Sequence, residues 1–298
     1  MIRHRPPETE KETEMKFLRP AAIVVLGLAV CAGPVLAETQ FEQEQKIYQD
    51  CVELSLSEPD LAYTNALTWF ETGGGLPAHH CVALSLAEMG RYAEAARELE
   101  IIADDMIRGF GWPFSDRPHP KNRNMLAAIY SQAGNAWLLT GEIKKAITVL
   151  SLGLREVELN TPENAGLLID RARAQASLGS YQEALRDLSL AETMVAESAD
   201  ILALKANAYR ALRQFDLAEE ELRKAFTLNS VHREALLERG NLKLDQGDNA
   251  GARQDWVKYL SLYPEGVGAD AIRRNLEALD VTVEEFDPEE TQAGGGEN

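Results

Sequence analysis

One spacing constrains this chain more than any other: a small residue is followed twelve positions later by alanine, and the pair recurs five times. The small residues are Ala83, Gly134, Ala172, Ala206 and Gly240, and their partners are Ala95, Ala146, Ala184, Ala218 and Ala252. The last three copies open at Ala165, Ala199 and Arg233, 34 residues apart each time. A fixed period of that length means one supersecondary unit stacked along an axis, each copy burying against its neighbour the face it cannot bury alone.

Within a copy the pattern reads as two amphipathic helices around a tight turn, as in Leu167 to Leu178, Gly179-Ser180, then Tyr181 to Met194. Glycine marks the turn at Gly90, Gly141, Gly179 and Gly247, and Arg213 takes its place in the fourth copy. Tyr92, Ile143, Tyr181, Phe215 and Asn249 follow the turn, and seven residues on come Leu99, Leu150, Leu188, Leu222 and Trp256. Small residues on the facing sides let the two backbones approach, and the bulky residues fill the space between hairpins. A basic residue pairs with an acidic one 16 positions later in the last three copies: Arg171 with Asp187, Lys205 with Glu221, Arg239 with Asp255. The second copy has Ala133 and Val149 there instead. These read as ion pairs within a hairpin, cations that hold structure instead of ligand.

These columns resemble tetratricopeptide repeats, whose pattern has a small residue at position 8, an aromatic at 11, glycine near 15, alanine at 20, small again at 27 and proline at 32. Position 11 is Trp137 and Tyr209 in two copies but Leu86, Gln175 and Lys243 in the others; position 27 is small at Gly153, Ala191 and Ala225; proline at 32 survives as Pro264. The resemblance covers about Leu76 to Gly266. It implies an all-α, right-handed superhelical solenoid of stacked antiparallel helix pairs with repeats at 76–109, 127–160, 165–198, 199–232 and 233–266. A degenerate hairpin, 38–75, would cover the front, a capping helix, 267–280, the back, and an acidic, Gly-rich tail, 281–298, is expected to be disordered. In the family's geometry position 9 points into a concave groove, here Leu84, Asn135, Arg173, Asn207 and Asn241, with Arg210 from position 12. The resemblance thus implies a peptide or protein tail along Asn135, Arg173, Asn207, Arg210 and Asn241. Carboxamides would satisfy its backbone and arginine would take a carboxylate. The chaperone-binding clamp of the family wants lysine at position 5, where this chain has His80, Ser131, Ile169, Ala203 and Leu237.

A net charge of -18 argues against nucleic acid as a partner, since its binding relies on neutralising phosphates. Lys16 and Arg19 precede an apolar run, Ala21 to Ala32, and Val35-Leu36-Ala37 supplies a small-residue cleavage site. We read residues 1–37 as a leader and signal peptide removed after Ala37, with Met15 as a candidate start, and the mature chain as periplasmic or secreted without stable membrane insertion. A lipoprotein signal ending at Cys31, which Val30 disfavours, and a retained anchor are the alternatives. Cys51 and Cys81 then remain, an even count that suggests a bridge between the first helices of adjacent hairpins.

Between the first two repeats the register slips by 17 residues, through Gly109 to Pro120. Phe110, Trp112 and Phe114 there form either a binding loop or a loop pinned to its own helices by Trp112. Chemistry is scarce: there is no nucleophile elbow, phosphate loop, metal-protease histidine pair or paired CxxC, and no cofactor or metal is implied. His79 and His80 adjoin Cys81, but adjacent helical residues diverge by about 100° and cannot share an ion. Gly73-Gly74-Gly75 reads as a turn between hairpins. The chain is expected to be a scaffold without catalysis of its own that binds a protein or peptide. An accessory or regulatory subunit of an envelope enzyme or assembly machine is the second reading.

Overall fold

The computed structural model describes residues 40–110, 123–158, 160–266 and 268–284, in which thirteen helices and no strand occur. They pair in chain order: α1 (Gln40–Ser57) with α2 (Pro59–Glu71), α3 (Gly75–Glu88) with α4 (Tyr92–Arg108), and α5 (Arg123–Leu139) with α6 (Ile143–Glu156). Then come α7 (Pro162–Ser177) with α8 (Tyr181–Glu192), α9 (Ala199–Ala211) with α10 (Phe215–Leu228), and α11 (Arg233–Asp245) with α12 (Asn249–Leu262). The last helix, α13 (Ala269–Glu284), packs on α12. The fold is a solenoid of stacked helical hairpins.

The turns explain the glycine column. Gly90, Gly141, Gly179 and Gly247 all have left-handed φ, between 74° and 84°, where a Cβ is costly. The residue after each turn donates its N–H to the carbonyl of column 11, as Glu142 does to Trp137 and Asp248 to Lys243, so the helix end closes in a Schellman arrangement. Arg213 adopts the same conformation, φ 61°, without being glycine.

The alanine and small-residue columns occupy equivalent buried places: Ala95, Ala146, Ala184, Ala218 and Ala252 are all fully buried, as are Ala83, Ala172, Ala206 and Gly240. Space is tightest where the column is glycine. A Cβ on Gly134 would stand 2.5 Å from Leu150, and one on Gly153 2.7 Å from Tyr130. The core runs lengthwise in overlapping patches from Cys51 and Ala66 through Trp137, Leu188 and Leu222 to Trp256 and Ile272. Each buried Leu of the bulky column contributes about 2 kcal/mol.

Side chains link the two helices of a hairpin across 16 residues. Arg171 meets Asp187 through two bonds of 2.7 and 2.8 Å, and Arg239 meets Asp255 at 2.9 and 2.5 Å. Lys205 lies 3.3 Å from Glu221 and 3.2 Å from Glu192.

Two boundaries differ from the sequence reading. The closing helix starts at Ala269 and continues to Glu284, four residues into the stretch expected to be disordered. No breaker intervenes before Pro288, and Val281-Thr282-Val283 carries the helix past Asp280. Residues 1–39, with the leader and its cleavage site, and residues 285–298 of the acidic tail lie outside the described residues. Among the described residues no helix is long and apolar enough to cross a membrane.

Candidate groove across the first helices

Column 9 stays accessible where column 8 is buried. Arg173 is exposed and Leu84, Asn135, Asn207 and Asn241 are half-buried, one from each of α3, α5, α7, α9 and α11. Their side chains are already organised by carboxylates of their own chain. Between α9 and α11, Glu238 accepts from Asn207 Nδ2 (3.0 Å), from Asn241 Nδ2 (3.5 Å) and from Arg210 Nε (3.0 Å), and Asp245 takes the other end of Arg210 at 2.9 Å. Burial lowers the Arg210 pKa, but these two carboxylates outweigh it and hold the guanidinium above the ordinary arginine value. Between α5 and α7, Asp170 accepts from Ser131 Oγ and from Arg173 Nη1 (3.0 Å), and Asn135 Nδ2 reaches Ser131 Oγ at 3.5 Å.

The carboxylate-binding role expected of the arginines is therefore taken up inside the chain. Arg210 is spent on Glu238 and Asp245, while Arg173, whose side chain is 43% exposed, keeps donors on its outer side. A carboxylate only accepts, so both asparagines turn their NH₂ groups to Glu238 and their side-chain oxygens are left uncommitted among the described residues.

Column 6 carries these ties and the sequence reading passed over it. Gln132, Asp170 and Glu238 stand there in three repeats, each reaching the first helix of the hairpin before; Leu204 takes the place in the fourth. The signal is a polar residue recurring at one column of the first helix in three of the five repeats.

At the front, Cys51 on α1 and Cys81 on α3 are brought together with their Cα atoms 6.3 Å apart, in range for a disulfide. Beside them His80 is buried; its Nδ1 pairs with Tyr48 Oη (2.7 Å) and its Nε2 with Gln132 Oε1 (2.6 Å). His79 points elsewhere, to Glu98 at 2.6 Å, so the two rings serve different helices and share no ligand. Burial pushes the His80 pKa down to about 4, with a smaller lowering from His79 against a raising bond to Gln132. Phe110 is 61% exposed; Trp112 and Phe114 lie outside the described residues.

Asp200, His232 and Glu234 bring three potential ligand atoms within 4.8 Å of one another. His232 Nδ1 accepts the Ala235 N–H at the start of α11, which leaves the neutral ring's hydrogen on Nε2, donated to Asp200 at 3.2 Å. Glu234 is engaged by Arg233. The imidazole lone pair thus caps a helix instead of facing the carboxylates, and the cluster is a poor metal site.

The tetratricopeptide-repeat family model matches residues 204–266. Among solved structures, one of Pseudomonas aeruginosa pilF is 12% identical, spans 78% of this chain and 99% of that one, and superposes with a TM-score of 0.53. MamA from residue 41 onward of Desulfovibrio magneticus RS-1 is 17% identical over 63% of this chain and 95% of its own, with a TM-score of 0.47. No curated protein sequence matches the chain. Residues 204–266 thus match the tetratricopeptide-repeat family, and the glycine turns and buried alanine column carry the same helical-hairpin architecture through the other described repeats.

Proposed function

We propose that this chain is a non-catalytic scaffold of an oxidising compartment outside the cytoplasm, holding an extended peptide segment of a partner protein across α5, α7, α9 and α11. One observation carries the reading: Asn207 and Asn241, 34 residues apart, are pre-set by Glu238 with their side-chain oxygens uncommitted. Repeated acceptors of this kind match the repeated N–H donors of an extended backbone. Fixing them before the ligand arrives spares the entropy of ordering them on binding. In this reading Asn135, Asn207 and Asn241 contact the peptide, Arg173 adds a donor at its outer edge, and Arg210 positions Glu238. The compartment is supported by the adjacent Cys51 and Cys81 and by the leader-like Lys16 to Ala37. The absence of catalysis rests on the lack of a recognisable catalytic motif.

The test is capture from the native envelope with the chain immobilised, comparing wild type with Asn135→Ala/Asn207→Ala/Asn241→Ala. We expect a protein retained by wild type to be lost by the triple variant at an unchanged melting temperature. Equal retention by both would remove the groove from the account.

A further inference from the structure

Position 11 of the repeat can set a side chain of the first helix against the second helix of the hairpin before. In the second repeat it is Trp137, only 4% exposed, whose Nε1 donates to Glu100 on α4 while Lys145 and Arg97 stand 4.4 and 6.0 Å from the ring centroid. In the fifth repeat the same column holds Lys243, and its ammonium is drawn to Asp255 on α12 at 2.8 Å. What a ring would fill is left open: a cavity of about 660 Å³ lies between α10 and α11, lined on its apolar side by Leu222, Phe226 and Leu242. The columns of Arg97 and Glu100 reappear in the fourth repeat as Glu220 and Arg223, and both line this cavity. It lies where the Trp137 seat lies in the second repeat, with cation and carboxylate exchanged, no ring from column 11, and Phe226, covered by the Arg239 guanidinium at 4.0 Å, as the aromatic part of its wall. Its volume is in the range of small-molecule sites, enough for an indole and the backbone that carries it.

We propose that this cavity is a docking site for an aromatic side chain presented by a protein partner. The occupant is argued from the molecule itself: where the chain closes the equivalent seat, it does so with tryptophan between two helices, two cations near the ring and one carboxylate on its N–H. Leu222, Phe226 and Leu242 supply the apolar contact, and Glu220, which Lys224 holds at 2.9 Å, is a carboxylate on the wall with remaining capacity to accept from an indole N–H. The site is distinct from the groove on the first helices, and neither reading depends on the other.

The experiment is methyl NMR of the chain, following Leu222 and Leu242 while the pentapeptides Gly-Gly-Trp-Gly-Gly and Gly-Gly-Leu-Gly-Gly are titrated in turn. Saturable shifts at both leucines are expected, with the tryptophan peptide bound about tenfold more tightly than the leucine one. Lys243→Trp should abolish the shifts by filling the seat as the second repeat does. Thr227→Trp, an exposed change on the cavity wall, should block it without entering the core. No saturable shift, equal affinity for the two peptides, or binding unchanged in Thr227→Trp would overturn the proposal.

Discussion

A Cβ added to Gly240 would stand 2.4 Å from Nε1 of Trp256. The two residues are 16 apart, on α11 and α12, and the indole lies fully buried against the bare backbone that glycine provides. Repeats with leucine in place of Trp256 carry alanine in place of Gly240 in three of four cases, at Ala83, Ala172 and Ala206. Ring and glycine are therefore a matched pair. Gly240→Ala should cost about 2 to 3 kcal/mol, because neither backbone nor ring can move without loosening the seat of α13. Urea unfolding at neutral pH measures it, and Gly240→Ala with Trp256→Leu should recover most of the loss.

The Arg171–Asp187 pair invites a double-mutant cycle, because the chain contains its own control. At the same two columns the second repeat has Ala133 and Val149, both buried and apolar. Arg171→Met leaves Asp187, with a side chain 10% exposed, facing no cation and should cost about 2 to 3 kcal/mol. Adding Asp187→Leu should return stability to near the starting value. A double variant as unstable as the single one would mean that the pair contributes more than geometry.

What was legible follows from what the period controls. Columns 8, 15 and 20 and the 16-residue ion pairs lie within one hairpin, where helix geometry fixes who meets whom, so spacing alone located them. Column 6 was not legible, because Gln132, Asp170 and Glu238 act between hairpins and their reach depends on how far one first helix is turned against the next. The groove arginines show the same limit. Column position placed Arg210 on the accessible side, but only the inter-repeat rotation brings Glu238 and Asp245 onto it. The cavity at Lys243 was missed for a related reason, since a departure from the aromatic pattern reads as tolerance until the space it leaves is seen.

Arg213 stands in for glycine at the fourth turn, with φ 61°. A side chain in that conformation costs about 1 kcal/mol, partly offset because the guanidinium lies over the Phe215 ring at 4.6 Å. Arg213→Gly should therefore stabilise the chain by about 0.5 to 1 kcal/mol, read as a shift of the urea midpoint at constant m-value.

Cys51 and Cys81 are 30 residues apart, and closing such a loop is worth about 3 to 4 kcal/mol in the chain-entropy model. The protein isolated from its native compartment should give one crosslinked peptide containing both cysteines under non-reducing mass spectrometry. Two alkylatable thiols would show that proximity alone holds α1 to α3.

His80 makes the front of the solenoid sensitive to acid. Its ring bridges Tyr48 on α1 and Gln132 on α5, and burial lowers its folded-state pKa to about 4, against about 6.5 in an unfolded chain. Between those values the unfolded chain binds the proton more tightly, so the contribution is whole above about pH 6.5 and is lost as pH falls toward 4. The full difference amounts to about 3 kcal/mol. Carboxylates titrate over part of the same range, so the comparison is with His80→Gln, which keeps hydrogen-bonding capacity without the charge. Urea unfolding of both proteins at pH 7 and pH 4.5 should show wild type losing about 2 kcal/mol more than the variant. The excess should survive in the Cys51→Ala/Cys81→Ala background, since the protonation penalty belongs to the buried ring and not to the cysteine pair beside it.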